Sequence, residues 1–252
     1  MRKFKIFTII DRLNWFSDIW IEYHLRYFKK SEIAFLNDKK FLNDDSLKRY
    51  LIENFSFNED EIHIIHSEDQ PTSLRERHVY ITHFINMTQS NLLLENDVVI
   101  YLDIDELIYH PDLVNLLNTF DSDYLVTNPM DILHNINIEY DFDFSKPINS
   151  QRNYINSGII SGWYKKNIIV RNKTYWQDGR HTNEMPTISD LYLIHLGKID
   201  LKFTNLLNKQ NREMRGWEES QNAFIDNELE DWFRNFTISE IPEYIKVALN
   251  GL

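Results

Sequence analysis

Asp97-Val98-Val99-Ile100-Tyr101-Leu102-Asp103-Ile104-Asp105-Glu106 is an apolar run that stops at an Asp-x-Asp pair. Residues 98 to 102 suit a strand buried on both faces, and open α/β sheets bind ligands at the carboxyl ends of such strands. Two carboxylates at that end can hold magnesium or manganese against a diphosphate. These hard cations take one or two carboxylates plus substrate phosphates rather than an all-protein cage. The competing reading of the pair is a turn or helix cap facing solvent.

Spacing alone does not single out this pair, because Asp121-Ser122-Asp123 and Asp141-Phe142-Asp143 repeat it. Asp121 and Asp123 precede Tyr124-Leu125-Val126 and read as a turn entering a strand. Asp141 and Asp143 lie in an irregular stretch of Asn, Asp and aromatics. Only Asp103 and Asp105 end a run that reads as a buried strand.

Upstream, residues 3 to 10 predict a first strand ending at Asp11, and Phe16, Ile19, Trp20, Tyr23 and Tyr27 recur at helical spacing over 15 to 29. A strand at Glu32 to Leu36 ends at Asn37-Asp38. A helix over about 44 to 54, a strand at Glu61 to His66 and a helix over 73 to 91 follow. This alternation predicts a wound, mainly parallel sheet flanked by helices, with the first hundred residues as a nucleotide-binding half. No Gly-x-Gly-x-x-Gly follows the first strand and no Gly-Lys-Ser/Thr occurs, so neither a dinucleotide dehydrogenase nor a P-loop enzyme is supported.

Downstream the alternation weakens: a helix near 111 to 118, a strand near 123 to 128, then an irregular region of about 130 to 153, long enough to suggest a binding element. A strand-like run Tyr154 to Trp163 contains Asn156-Ser157-Gly158. A polar stretch Trp176 to His181 and the apolar run Leu191 to Leu196, with His195, come next. The tail beyond 210, with Trp217, Phe224, Trp232 and Phe236 among many acids, reads as helical. The organisation expected is one catalytic domain, 1–210, with halves 1–105 and 106–210, and a helical tail, 211–252.

The 252 residues, 42% hydrophobic and 14% aromatic, suffice for a core. A net charge of -12 argues against a protein built to clamp nucleic acid, and on average against a polyanionic membrane. Without cysteine there is no disulfide, thiolate zinc site or catalytic thiol, which suits the cytoplasm. The apolar run after Arg2, Lys3 and Lys5 is too short for a signal peptide, and no stretch reaches transmembrane length, which leaves peripheral membrane contact open.

In this order the motifs resemble glycosyltransferases of the GT-A fold. Trp20-Ile21-Glu22-Tyr23-His24-Leu25, then Ile33 to Asp38, is similar to the opening helix and second strand of family-2-like and family-92-like enzymes. Tyr101 to Glu106 resembles their metal motif, while Asn156-Ser157-Gly158 and Ile194-His195-Leu196-Gly197-Lys198 resemble family-8 motifs. The resemblance covers most of residues 4 to 203 and implies a Rossmann-like mixed sheet and transfer of a sugar from a nucleotide-sugar, UDP favoured, to a hydroxyl. The implied acceptor is a glycan or glycolipid, in surface polysaccharide or lipopolysaccharide synthesis.

It also implies roles. Asp105 ligates Mn2+ or Mg2+, Asp103 ligates it or contacts the donor ribose, and His195 is the third protein ligand, its competing reading being a core or cap histidine. Asp11 and Asp38 lie where such enzymes contact the donor, while Asn156, Trp176 and His181 fall on the acceptor side. Arg75 and Arg77, on the helix before the Asp pair, could add guanidinium contacts to phosphate or stand as solvated helix charges. Asp178 and Glu184 are the candidate bases of an inverting reaction, with Glu218 and Glu219 behind them; a retaining reaction needs no such base. Trp163, Trp176 and Trp217 could stack on sugar rings.

Two rivals share the Asp pair or the fold. One is a haloacid-dehalogenase-like phosphohydrolase, in which the first Asp is the nucleophile; Leu107 stands where that class has Thr or Val, and three strand-helix units precede the motif. The other is a non-catalytic carbohydrate-binding protein. Nucleotide-sugar synthesis is a weaker third, lacking a Gly-rich loop for a triphosphate.

Overall fold

In the computed structural model, which describes residues 1–37, 42–66, 74–156, 166–175, 190–214, 233–234 and 237–252 and for 74–79 and 208–214 the backbone alone, the run at Val98–Tyr101 is an interior strand. It is β4 in a chain that begins β1 Phe4–Ile10, α1 Trp15–His24, β2 Ile33–Asn37, α2 Asp44–Phe55, β3 His63–His66 and α3 Leu74–Leu92. After β4 come β5 Glu106–Tyr109, α4 Leu113–Thr119, β6 Tyr124–Leu125, β7 Asn128–Leu133, β8 Tyr154–Asn156 and β9 Ile169–Val170. The last elements described are β10 Tyr192–His195, α5 Leu201–Met214, β11 Ile238–Glu240 and α6 Glu243–Ala248.

The chain divides into two compact units, Met1–Asn128 with Gly162–Leu193, and Pro129–Ser161 with Ile194–Leu252. The first holds a six-stranded sheet in the order β3-β2-β1-β4-β9-β6. Its first four strands are parallel, with Ile6 opposite both Ile33 and Ile100, and β9 runs antiparallel to β4 and β6. This is the mixed, Rossmann-like α/β sheet flanked by helices that the alternation predicts.

Strand period explains its burial. Val98, Ile100 and Leu102 face a core shared with Trp20 of α1, Leu47 and Leu51 of α2, and Leu113 and Leu117 of α4. Val99 and Tyr101 face the opposite core, with Phe7, Leu36 and Ile85 of α3. Both faces of β4 are dry, as its unbroken apolar run requires.

Helix α1 starts at a reciprocal cap: Asn14 Oδ1 accepts from the Phe16 N–H (3.0 Å), and Ser17 Oγ accepts from the Asn14 N–H (2.7 Å). It ends at His24, short of the expected 29, because bonding tightens there: the Arg26 and Tyr27 N–H groups donate to Tyr23 and His24 carbonyls. The aromatic stripe continues past the helix in a turn. Among the described residues no helix is long and apolar enough to cross a membrane.

The second unit orders strands β11-β8-β7-β10, with β8 antiparallel to β7 and β11. The tail expected to be helical therefore also supplies an edge strand, Ile238–Glu240. Two further strands, β5 and β9, carry no separate signal in the sequence, being four and two residues long.

His24 gives this fold an acid sensitivity. It is fully buried, its Nδ1–H donates to the Trp20 carbonyl (2.7 Å), and burial pushes its pKa down to about 3. Folded, the imidazole stays neutral, whereas in the unfolded chain it takes up a proton below its ordinary 6.5. The unfolded state then binds more protons, so stability falls as pH drops from 6.5 towards 3, by about 2 kcal/mol at pH 5. Urea unfolding across this range is expected to show that slope, and His24→Phe, which keeps a ring against Trp20 and Phe28, to flatten it. An unchanged slope in the variant would assign the acid sensitivity to other groups.

Candidate functional site

In the first unit, β4 ends in a tight turn, Asp103 to Glu106, closed by the Glu106 N–H donating to the Asp103 carbonyl (3.0 Å). The Glu106 carboxylate reaches back to accept from the Asp103 N–H (3.0 Å). Its side chain is buried, so it holds the turn rather than meeting a ligand. Asp103 is fixed from both sides: Oδ1 accepts from Tyr101 Oη (2.8 Å) and Oδ2 from Lys166 Nζ (3.1 Å). The same ammonium contacts Glu106 Oε1.

Lys166 is therefore the internal countercharge of the turn. Its side chain is 10% exposed, and Thr127 anchors its backbone by donating N–H (3.0 Å) and Oγ1–H (3.1 Å) to the Lys166 carbonyl. Asp103 and Glu106 bring two carboxylates against this ammonium where the β4 chain emerges from the parallel sheet, and Asp105 stands between them in the turn. Asp105 is half-buried in the turn.

Sequence reasoning missed Lys166, which lies some sixty positions downstream with no spacing to tie it to the turn. The available signal was a cation just ahead of the apolar run Ile168-Ile169-Val170, where a strand beside β4 would bury it.

The two other Asp-x-Asp triplets are structural. Asp121 accepts from Arg171 Nη1 (3.0 Å) and the Asp123 carbonyl from the Arg171 N–H (2.7 Å), so that pair ties β6 to the end of β9. Asp143 pairs with Lys146 (2.9 Å), and Asp141 contacts Lys202 on α5 (2.5 Å).

Asp11, at the end of β1, pairs with its neighbour Arg12 (3.1 Å). At the end of β2, buried Asn37 donates from Nδ2 to Asp44 Oδ1 (2.7 Å), and Asp44 Oδ2 lies 3.3 Å from His66 Nε2 at the end of β3. Arg75 and Arg77 lie on α3, with side chains outside the described residues. Asp38, Trp163, Trp176, Asp178, His181, Glu184, Trp217, Glu218 and Glu219 also fall outside them.

The second unit holds His195 and Asn156. Asn156 ends β8 and is buried. His195, at the end of β10, has Nδ1 2.9 Å from Asp131 Oδ1, and the other Asp131 oxygen accepts from Lys198 Nζ. Asp131 is 5% exposed, Lys198 9% and His195 32%. Burial alone would raise the Asp131 carboxyl, but the His195 hydrogen bond and charge, with those of Lys198, outweigh it and hold the carboxyl down at about 2. A carboxylate inside the apolar run of β7 was the sequence signal for this cluster, since a buried acid needs partners.

The irregular region after β7 is pinned from inside. Arg152, 1% exposed, donates to the carbonyls of Tyr140 (3.0 Å) and Ile199 (2.5 Å) and lies 3.3 Å from Asp200 Oδ2. Asp200 accepts from the N–H groups of Phe142 and Phe203, both at 2.8 Å, so it caps α5 and ties the loop to it. His134 Nδ1 accepts from the Leu201 N–H (3.2 Å), which makes Nε2 the donor to the Glu139 carbonyl (3.2 Å). Burial, then the charge of Arg152, lowers its pKa and keeps that tautomer neutral.

Asp105 carries the hard oxygen donor type that a divalent cation takes, on a turn held by Tyr101, Lys166 and Glu106. Among the described residues no three His, Cys, Asp or Glu converge to hold a metal ion. A cation there would take the rest of its ligands from outside that protein set, as magnesium and manganese do with substrate phosphates.

No known family's profile matches the chain, and neither does any curated protein. Among solved structures the chain is similar to S. aureus TarS, at a TM-score of 0.39 and 13% identity over 93% of this chain and 44% of that one. A second TarS structure, residues 1–349, gives 0.34 and 15% identity over 93% and 72%. The chain thus spans less than half of the longer TarS chain.

Proposed function

We propose that the protein is a metal-dependent GT-A glycosyltransferase that moves a sugar from a nucleotide-sugar to a glycan hydroxyl. The carrying observation is the carboxylate turn at Asp103 to Glu106, placed where the buried strand β4 leaves a parallel, Rossmann-like sheet. A cation held there supplies electrostatic stabilisation of the charge that accumulates on the leaving diphosphate.

This chain's residues divide that work. Asp105 offers the ligand oxygen. Glu106 and Tyr101 lock the turn, so the ligand is already placed when the donor arrives. Lys166 offsets the charge of Asp103 and Glu106, which lets three carboxylates share one turn. Asp103 keeps the role of ligand or ribose contact, and Arg75 and Arg77 that of phosphate contacts. Asp178 or Glu184 would take the acceptor proton if the reaction inverts. UDP as the nucleotide, Mn2+ or Mg2+ as the cation, surface polysaccharide as the product and a cytoplasmic location belong to the same proposal.

The test is thermal unfolding with UDP-, GDP- and CMP-sugars, with and without Mn2+. Stabilisation of several degrees by one nucleotide class, dependent on Mn2+ and lost in Asp105→Asn, is expected, since a ligand at about 100 times its Kd adds about 2.7 kcal/mol. No response to any nucleotide, or an equal response in the variant, would overturn the reading.

One observation favours a second reading. An ammonium beside the first Asp of the pair also suits a carboxylate nucleophile attacking a phosphoryl group. Asp103-dependent hydrolysis of an aryl phosphate would establish the phosphohydrolase instead.

A further inference from the structure

The alternation Tyr140-Asp141-Phe142-Asp143-Phe144 sets aromatics and acids side by side, and the second unit treats two of those rings in opposite ways. Phe142 is buried, with the Arg152 guanidinium 5.1 Å from its ring centre, whereas Tyr140 is 91% exposed. An exposed ring means little on a loose loop, but this loop is built. Glu139 joins its two ends: one carboxylate oxygen accepts from the Asn135 N–H (2.7 Å) and the other from the Asn153 N–H (2.8 Å). Gln151 crosses it, accepting from the Asp143 N–H (2.7 Å) and donating to the Asp143 and Lys146 carbonyls (2.9 and 3.0 Å). Arg152 donates to the Tyr140 carbonyl (3.0 Å), so the backbone that carries the exposed ring is fixed.

This frame surrounds a cavity of about 470 Å³ whose wall includes Ile138, Tyr140, Asp141 and Asn153. Its volume falls in the range of small-molecule sites. Asn153 commits its N–H to Glu139 and its carbonyl to the Ile241 N–H (2.7 Å), while its exposed carboxamide has no hydrogen bond among the described residues. Asp141 pairs with Lys202 in an exposed bridge, a contact weak enough to yield to a competing donor. The cations in the wall are engaged, Lys146 with Asp143 and Arg152 with Asp200. A phosphate or carboxylate ligand would therefore meet no unpaired positive charge among the described residues.

An aromatic face beside a carboxamide and a carboxylate complements a ring that is apolar on its C–H face and rimmed by hydroxyls. We propose that the loop from Asn135 to Asn153 is a binding subsite for a neutral saccharide, whose ring lies on Tyr140 and whose hydroxyls meet Asn153 and Asp141. As the place of the acceptor glycan it deepens the transferase reading and rests on it. The prior fixing of the backbone favours binding, because little of the loop has to be ordered when the sugar arrives.

The experiment is saturation-transfer difference NMR on the full chain, titrated with neutral oligosaccharides of glucose, galactose, mannose and N-acetylglucosamine beside a uronic-acid oligomer. At least one neutral oligosaccharide is expected to bind with a Kd below about 10 mM, weakened about 10-fold in Tyr140→Ala and in Asn153→Ala and kept in Tyr140→Phe. Both side chains are exposed, so the Tm of these variants should match that of the wild type. No binding of any neutral oligosaccharide, preference for the uronic-acid oligomer, or equal affinity in Tyr140→Ala would overturn the proposal. Tyr140-dependent sugar binding in a protein that transfers nothing from any nucleotide-sugar would overturn only the transferase reading.

Discussion

Lys166→Ala is expected to lower the free energy of unfolding by about 3–5 kcal/mol. Such a loss is a large fraction of the roughly 5–15 kcal/mol that holds a typical domain. The reason is not the strength of the ion pair but what truncation leaves behind. Glu106 is 2% exposed and its Oε2 is committed to the Asp103 N–H, so it cannot swing out to water when the ammonium goes. Asp103 loses the donor at its Oδ2 in the same step.

Removing both charges is expected to behave differently. Lys166→Met with Glu106→Gln keeps volume, leaves an amide that can still accept from the Asp103 N–H, and leaves without the ammonium only Asp103, which at 34% exposed reaches water, so most of the lost stability should return. Urea unfolding of the two singles and the double measures the coupling. If Lys166→Ala costs less than about 1 kcal/mol, the pair is behaving like an exposed surface bridge and the burial argument is wrong.

The second large effect concerns turnover. Asp105→Asn is expected to reduce sugar transfer by about 100- to 1,000-fold at saturating donor, the scale on which losing one preorganised electrostatic group acts on a transition state. Its Tm should stay close to that of the wild type, because Asp105 is half-buried in a turn held by Tyr101, Lys166 and Glu106. Asp103→Asn should instead lose stability along with activity, because Asp103 is charge-paired with Lys166. Steady-state kinetics with whichever donor stabilises the protein, beside thermal unfolding of both variants, distinguishes them. Full turnover in Asp105→Asn would remove the turn from the chemistry.

The parallel half of the sheet was readable because each strand there is an apolar run and each helix an apolar stripe, periods that survive without knowledge of partners. Strands β5 and β9 were not. Glu106–Tyr109 offers only three apolar residues directly after the Asp pair, and Ile169–Val170 is too short for a pattern. Both became strands through pairing, which is a property of the neighbours rather than of the segment. The same limit governs the site: Asp103, Asp105 and His195 stood out by type and position, whereas Lys166 and Asp131 acquire meaning only from what they touch.

By itself the sequence determined where a dry strand stops and two carboxylates begin, because hydrophobic periodicity and an abrupt change of polarity are local properties of the chain. The tertiary structure alone decided what those carboxylates do. Asp103 and Glu106 are tied to Lys166 and Tyr101, and His195 is tied to Asp131 and Lys198. A buried charge is stable only with a partner, and folding brings that partner from anywhere along the chain.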